Sequence, residues 1–204
     1  MTAAAFGLKP DFELVEVATR ATWRTWLAAH HEQTTGVWVV TVKKAAVTAP
    51  GDYVSAQDIC EECLCFGWID SKPGKVDDRR TALLCTPRKP GSGWSKVNKD
   101  RLTWLLAESQ VAPPGLATIE GAKTDGSWTK LDNVDALAVP NDLAIALGSR
   151  STARANFDAF PPSAHRGILE WILQAKTATT RSKRIDETAR LAEQNLRANQ
   201  WPRS

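Results

Sequence analysis

Residues 37–42 read Val-Trp-Val-Val-Thr-Val, a short run that is rich in β-branched side chains. Because the run is short and is bounded by turn-forming residues, it predicts a buried strand rather than a helix. A second run, Arg-Thr-Ala-Leu-Leu-Cys-Thr at residues 80–86, ends at Pro87 and predicts another strand. We expect these two strands to form the centre of a small sheet.

Two helices are predicted before the second strand. Apolar residues recur at helical spacing within residues 22–31. Ser55 and Asp58 resemble a helix start, where the serine oxygen caps a free N–H and the acid favours the positive end of the dipole. This helix is expected to run to about Phe66, because Gly67 is a typical stop signal.

The remaining segments are expected to be connections and further helices. A loop with Pro50 and Gly51 follows the first strand, and residues 68–74 are expected to lead into a polar turn at Pro73 and Gly74. Helices are predicted at residues 95–108, 113–123, 141–147, 151–160, 163–176 and 180–199.

These elements predict an α+β fold, in which a small, mostly antiparallel sheet is covered by helices and the C-terminal half is helical. Residues 1–124 are expected to form the α+β domain, and residues 141–204 a helical region packed on it. Residues 125–140 are the expected linker, since they contain Gly126 and Pro140 and show no sustained period. A length of 204 residues suits one sizeable domain or a domain with a helical appendage.

Composition places the chain among ordinary globular proteins, with 43% apolar and 24% charged residues. The first seven residues lack the pattern of a signal peptide, and no run approaches the roughly 18 apolar residues of a membrane span. We therefore expect no export, no membrane insertion and a cytoplasmic location. The oligomeric state is not indicated.

Four cysteines lie close together, at Cys60, Cys63, Cys65 and Cys85. Four thiolates can hold zinc, but on a helix Cys60 and Cys63 share a face while Cys65 points away. We expect no metal and four buried, reduced thiols that behave as small apolar side chains.

Positive charge is concentrated between residues 71 and 101, where nine residues are basic and three are acidic. A local field of this sign attracts anions, although a solvated basic face would show the same pattern. The nine tryptophans of the chain also stand out, since the indole ring suits both a core and a ligand site.

Three short blocks contain the candidate binding residues: residues 64–72 (Leu-Cys-Phe-Gly-Trp-Ile-Asp-Ser-Lys), 86–90 (Thr-Pro-Arg-Lys-Pro) and 94–99 (Trp-Ser-Lys-Val-Asn-Lys). If the blocks converge, Arg88 offers a planar fork for a carboxylate or phosphate, and the tryptophans offer aromatic faces. The alternative is that both tryptophans fill the core and the charged residues form surface ion pairs. The candidate ligand-binding residues are Trp68, Asp70, Lys72, Arg88, Lys89, Trp94, Ser95, Lys96, Asn98 and Lys99.

With these blocks in order, the chain resembles the YdeI/OmpD-associated family, also called the bacteriocin-protection family. Residues 114–120 (Pro-Gly-Leu-Ala-Thr-Ile-Glu) and a C-terminal segment from Trp171 to Ile185 add to the likeness, which extends from about Thr22 to about Asn195. The resemblance implies a bacterial protein that protects against bacteriocins, antimicrobial peptides or other stress, with no well-established enzymatic activity.

The leading expectation is therefore a protection or resistance protein that binds and sequesters a toxic or antimicrobial small molecule or peptide, polar or anionic in part. One alternative is a hydrolase-type enzyme that inactivates such a compound, with Ser95 and Asp70 as candidate catalytic residues. Another is an interaction protein that docks through its basic face. Nucleic-acid binding is not favoured, because acidic residues interrupt the cations of the last helix, and no phosphate-binding glycine motif indicates a cofactor.

Overall fold

Strand β2 (Val37–Val42) occupies the position that its sequence predicts, inside a four-stranded sheet. The other strands are β1 (Glu13–Glu16), β3 (Trp68–Lys75) and β4 (Arg80–Pro87), and the order across the sheet is β1-β2-β4-β3. Strand β1 pairs with β2 in parallel, whereas the β2–β4 and β3–β4 pairs are antiparallel. The predicted α+β fold with a mostly antiparallel sheet is confirmed.

This computed structural model describes residues 7–8, 11–48 and 53–200. The predicted loop at Pro50 and Gly51 lies outside the described residues. The chain divides into two units, Met1–Thr129 and Lys130–Ser204. The first unit contains the sheet, and the second is helical throughout its regular elements.

The prediction of a polar turn at Pro73 and Gly74 is wrong, because both residues belong to β3. Strand β3 lies at the edge of the sheet, and its register with β4 shifts between Asp70 and Pro73. An edge strand tolerates proline at such an irregularity, since the missing N–H need not complete a ladder on both sides. Strand β1 was also missed, because four residues with glutamate at both ends carry little apolar signal.

Four α-helices accompany the sheet in the described part of the first unit: α1 (Arg20–His30), α2 (Ala56–Cys65), α3 (Lys96–Ala107) and α4 (Pro113–Thr124). The predicted cap of α2 is present, since the Asp58 N–H donates to Ser55 Oγ at 3.0 Å and the Ser55 N–H donates to the Asp58 carboxylate at 2.9 Å. A short 3-10 turn covers Lys44–Ala46.

Each face of the sheet carries its own apolar cluster. The larger cluster joins one face to the helices and includes Trp23, Trp68 and Trp94, each at most 1% exposed. The opposite face carries a smaller cluster around Trp38. Most of the tryptophan excess that we noted in the sequence therefore contributes to the interior of the first unit.

The second unit contains five helices among its described residues: α5 (Asp132–Asp135), α6 (Asn141–Gly148), α7 (Ala153–Asp158), α8 (Pro162–Leu173) and α9 (Ala178–Glu193). They enclose a separate core that includes Leu143, Phe157 and Ile168, each without measurable exposure. Residues 125–140, the expected linker, include α5, and Val134 of α5 is part of this core.

Candidate functional site

A hollow of about 480 Å³ lies in the first unit between the loop that follows β4 and helix α4. Residues 88–92 and Trp94 form one side, and small residues of α4, namely Ala117, Gly121 and Ala122, form the other. We call it the Arg88 hollow. Its walls come from two of the three sequence blocks and from a helix outside them.

The loop side of the Arg88 hollow is fixed by backbone hydrogen bonds. The Arg88 N–H donates to the Gly67 carbonyl at 3.0 Å, which ties the end of β4 to the end of α2. The Gly91 N–H donates to the Asp125 carboxylate at 3.0 Å. Gly91 has a φ of +73°, a left-handed conformation that glycine adopts without strain.

Arg88 is the central side chain of the hollow and is only 8% exposed. Its guanidinium carbon lies 3.7 Å from the centroid of the Trp94 ring, a stacked cation–π contact. Its Nη1 group donates to the Gly93 carbonyl at 3.2 Å. Its Nε and Nη2 groups are buried and have no hydrogen-bond acceptor in the described part of the chain.

Burial lowers the pKa of Arg88 from its ordinary value to about 10, although the nearby Cys60 and Asp70 oppose the shift. A buried cation without a bonded counter-ion opposes folding, because water no longer solvates its charge. The Asp70 carboxylate acts on Arg88 only through its electric field. The Nε and Nη2 groups of Arg88 donate no hydrogen bond to it.

Trp94 adds a third donor of the same kind. Its ring is 1% exposed, and its Nε1 group finds no acceptor among the described residues. The other buried indoles of this core differ: Trp23 donates to the Ile59 carbonyl at 3.2 Å, and Trp68 donates to the His31 carbonyl at 3.1 Å. Buried indole N–H groups usually have partners, so the arrangement at Trp94 is unusual within its own core.

A second hollow, of about 670 Å³, lies between residues 31–36 and the start of the same loop. Arg88, Lys89, Pro90 and Thr118 line both hollows. Arg88 and Lys89 are thus the two cations that the structure brings to this region from the predicted set.

Several predicted residues lie elsewhere in the first unit. Trp68 is in the core. Lys72 lies on the opposite face of the sheet, with its Nζ 5.7 Å from the centroid of the Trp38 ring.

Lys96 forms an exposed ion pair with Asp100 at 2.6 Å. Lys99 Nζ lies 5.5 Å from the centroid of the Trp128 ring.

Two further predicted residues have structural contacts at the start of α3. Ser95 Oγ accepts the Asn98 N–H at 3.4 Å and so caps the helix. The Asn98 side-chain oxygen accepts from Arg101 Nη1 at 3.1 Å, and the same Arg101 group lies 3.2 Å from Cys60 Sγ. These contacts place Ser95 and Asn98 in the framework of α3.

The four cysteines are free thiols and all are buried, as the sequence predicted. Burial raises the pKa of Cys65 to about 11, with the Glu62 carboxylate adding to the effect and Arg24 opposing it. Burial and Asp70 also raise the pKa of Cys60. Cys60 and Cys65 are therefore protonated at neutral pH. Within the described ranges we find no group of histidine, cysteine or acidic residues arranged to hold a metal ion.

Sequence reasoning missed the α4 wall of the Arg88 hollow. Ala117 and Gly121 are four residues apart and so share one helix face, where a methyl group and the absence of a side chain leave room beside the loop. The spacing of these two residues can be read from the sequence. That they line a hollow could not be predicted, because the sequence does not show which loop lies opposite α4.

Comparisons with known proteins place family matches in both units. Residues 15–118 match the model of a family described as "Domain of unknown function (DUF8412)". Residues 136–195 match the model of a second family, OmdA, which is described as "Bacteriocin-protection, YdeI or OmpD-Associated". The resemblance to this second family is confirmed, and the match lies in the helical unit, whereas the three blocks lie within the first match. No curated protein and no solved structure matches the chain.

No helix in the described part of the chain is both long and apolar enough to span a membrane. The first family match covers just over half of the 204 residues, and the second covers most of the helical unit. The chain therefore belongs to the DUF8412 family, and its residues 136–195 match the OmdA (bacteriocin-protection, YdeI or OmpD-associated) model.

Proposed function

We propose that the first unit binds a small anionic ligand in the Arg88 hollow and holds it without changing it chemically. The observation that carries this proposal is the guanidinium of Arg88, which is buried beside a 480 Å³ hollow with two N–H groups that have no acceptor in the described residues. A bound anion would accept those bonds and offset the cost of the buried charge.

Binding is favoured over catalysis by the states of the Ser95 hydroxyl and the Cys65 thiol. The Ser95 hydroxyl is engaged as a helix cap, and the raised pKa of Cys65 keeps that thiol protonated. A nucleophile needs a lowered pKa or a paired base, and neither accompanies these two groups.

The OmdA match suggests a role related to bacteriocin protection. The OmdA match and the Arg88 hollow together support protection by sequestration. In this proposal the first unit holds a toxic or antimicrobial small molecule or peptide, one with an anionic group, in the cytoplasm. Lys89, which is exposed at the hollow, adds positive charge that would attract such a ligand.

This proposal is tested by adding antimicrobial small molecules and peptides, with and without an anionic group, to the purified protein and recording tryptophan fluorescence and calorimetric heat. Trp94 stacks on Arg88, so occupation of the hollow is expected to change the fluorescence. Mass spectrometry after prolonged incubation should recover the bound compound unchanged. A product that accumulates with time would instead support an enzyme, and a complete lack of anion-dependent binding would remove the proposal.

Filling the hollow from α4 gives a matched test. A Cβ at Gly121 meets open space, so Gly121→Leu is expected to fold normally and to extend a side chain into the hollow. We expect the dissociation constant of any hollow ligand to rise at least about tenfold, since the leucine occupies its volume. Gly167→Leu in α8, where a Cβ also meets open space, is the control and should leave the affinity unchanged.

A further inference from the structure

We infer that the group recognised in the Arg88 hollow is a carboxylate, bound side-on by the Nε and Nη2 groups of Arg88. This inference rests on the proposed anion-binding function and names the chemistry of its ligand. Arg88 lines this hollow, and its Nε and Nη2 groups are without acceptors in the described residues.

The direction of the free donors carries the first step of the argument. A guanidinium presents its N–H groups along distinct edges, and Nε and Nη2 share one edge with two nearly parallel N–H bonds. Nη1, on the other side, is used by the Gly93 carbonyl. What remains on Arg88 is therefore one complete edge, whose spacing matches the two oxygens of a carboxylate.

Other arginines of the same chain show what this edge binds. Arg181 uses Nε and Nη2 to hold the two oxygens of Asp142, at 2.7 and 3.0 Å. Arg80 places the same two groups 2.8 Å from the Asp77 carboxylate. Arg88 has the same edge available in a buried setting, and no carboxylate of the described residues bonds to it.

The number of charges favours a carboxylate over a phosphate. Arg88 is the one buried cation among the residues that line the hollow, and Lys89, the other cation, is exposed. A phosphate ester carries up to two negative charges and three acceptor oxygens, and typically takes several cations or a series of backbone N–H groups. Two parallel donors on one buried positive charge suit a single planar anion.

Access to the edge requires a small local movement. The Nε and Nη2 atoms are shielded from solvent by their neighbours. Residues 89–92 are attached to α4 by the bond from Gly91 to Asp125, which involves an exposed carboxylate. Because this segment lines the hollow next to Arg88, we expect its displacement to open the edge to a ligand.

Three probes with one common ring separate the possibilities: benzoate, benzamide and phenyl phosphate, each titrated by calorimetry into the full-length protein. We expect saturable binding of benzoate, at least tenfold weaker binding of phenyl phosphate, and none of benzamide, which is uncharged. Arg88→Lys keeps the charge but loses the fork, so it should weaken benzoate binding at least tenfold. Gly167→Leu, far from the hollow in sequence and in the other unit, serves as the unaffected control.

Each other outcome has a distinct meaning. Tighter binding of phenyl phosphate than of benzoate, lost in Arg88→Lys, would overturn the carboxylate inference and leave the anion-binding function standing. Equal benzoate binding by Arg88→Lys and the unaltered protein would also overturn it, because the fork would then be irrelevant. Absence of binding for all three probes, or equal binding of benzamide, would overturn both proposals.

Discussion

Gly115→Ala is expected to lower the free energy of unfolding of the first unit by about 3 kcal/mol. A Cβ at Gly115 would lie 2.3 Å from the Cys65 carbonyl oxygen and 2.8 Å from its carbon. Both atoms are backbone at the end of α2, so they cannot turn aside as a flexible side chain would. Helix α4 would have to move away from α2, and the wall of the Arg88 hollow would move with it.

Urea denaturation followed by tryptophan fluorescence measures this effect, because seven of the nine tryptophans lie in the first unit. Gly121→Ala, in the same helix, is the matched control. Its Cβ meets open space, so the exchange should raise stability by about 0.5–1 kcal/mol through helix propensity alone. Equal effects of the two substitutions would show that α4 does not pack closely against the end of α2.

Arg88→Met is expected to weaken anion binding by about 100-fold and yet to make the first unit more stable, by about 1 kcal/mol. The pKa of Arg88, lowered by burial to about 10, corresponds to roughly 3 kcal/mol that opposes folding at neutral pH. The stack on Trp94 and the bond to Gly93 offset part of this cost and are lost with the substitution. Methionine fills a similar volume without a charge.

The pH dependence has a definite sign. Below about pH 10 the folded and unfolded chains both keep Arg88 protonated, and the full cost is present. As the pH rises above about 10 the folded state loses the proton before the unfolded state does, so the unaltered protein gains stability relative to Arg88→Met. Arg24→Met is the control, since Arg24 holds the buried Glu62 at 2.7 Å and its loss should destabilise the unit. A loss of stability in Arg88→Met like that of the control would contradict the account.

The fold was predictable where local patterns and packing agree. Strand β2 and the capped start of α2 follow directly from their residues, because a β-branched run and a capping box are local signals. Strand β3 was not predictable in this way, since Pro73 and Gly74 carry turn signals that the sheet edge overrides. Strand β1 exists through its parallel pairing with β2, which no local pattern encodes.

The candidate site was predictable in its chemistry and less so in its geometry. Arg88 was chosen for its planar fork, and the structure places it beside Trp94 in a hollow. The basic residues of α3 share its charge but not its position, because the direction of a side chain depends on the helix that carries it. Lys96 consequently pairs with Asp100 on the exposed surface. Burial of Arg88 is a tertiary property, and only coordinates reveal which of its N–H groups lack an acceptor.

The most direct measurement of the central claim is the nuclear magnetic resonance signal of the Arg88 Nε–H group, assigned by its loss in Arg88→Met, during a titration with benzoate. We expect a saturable shift of this signal, while the Nε–H signal of Arg181, which already donates to Asp142 at 2.7 Å, stays constant. An Arg88 signal that does not move at benzoate concentrations that saturate the calorimetric binding would contradict the account.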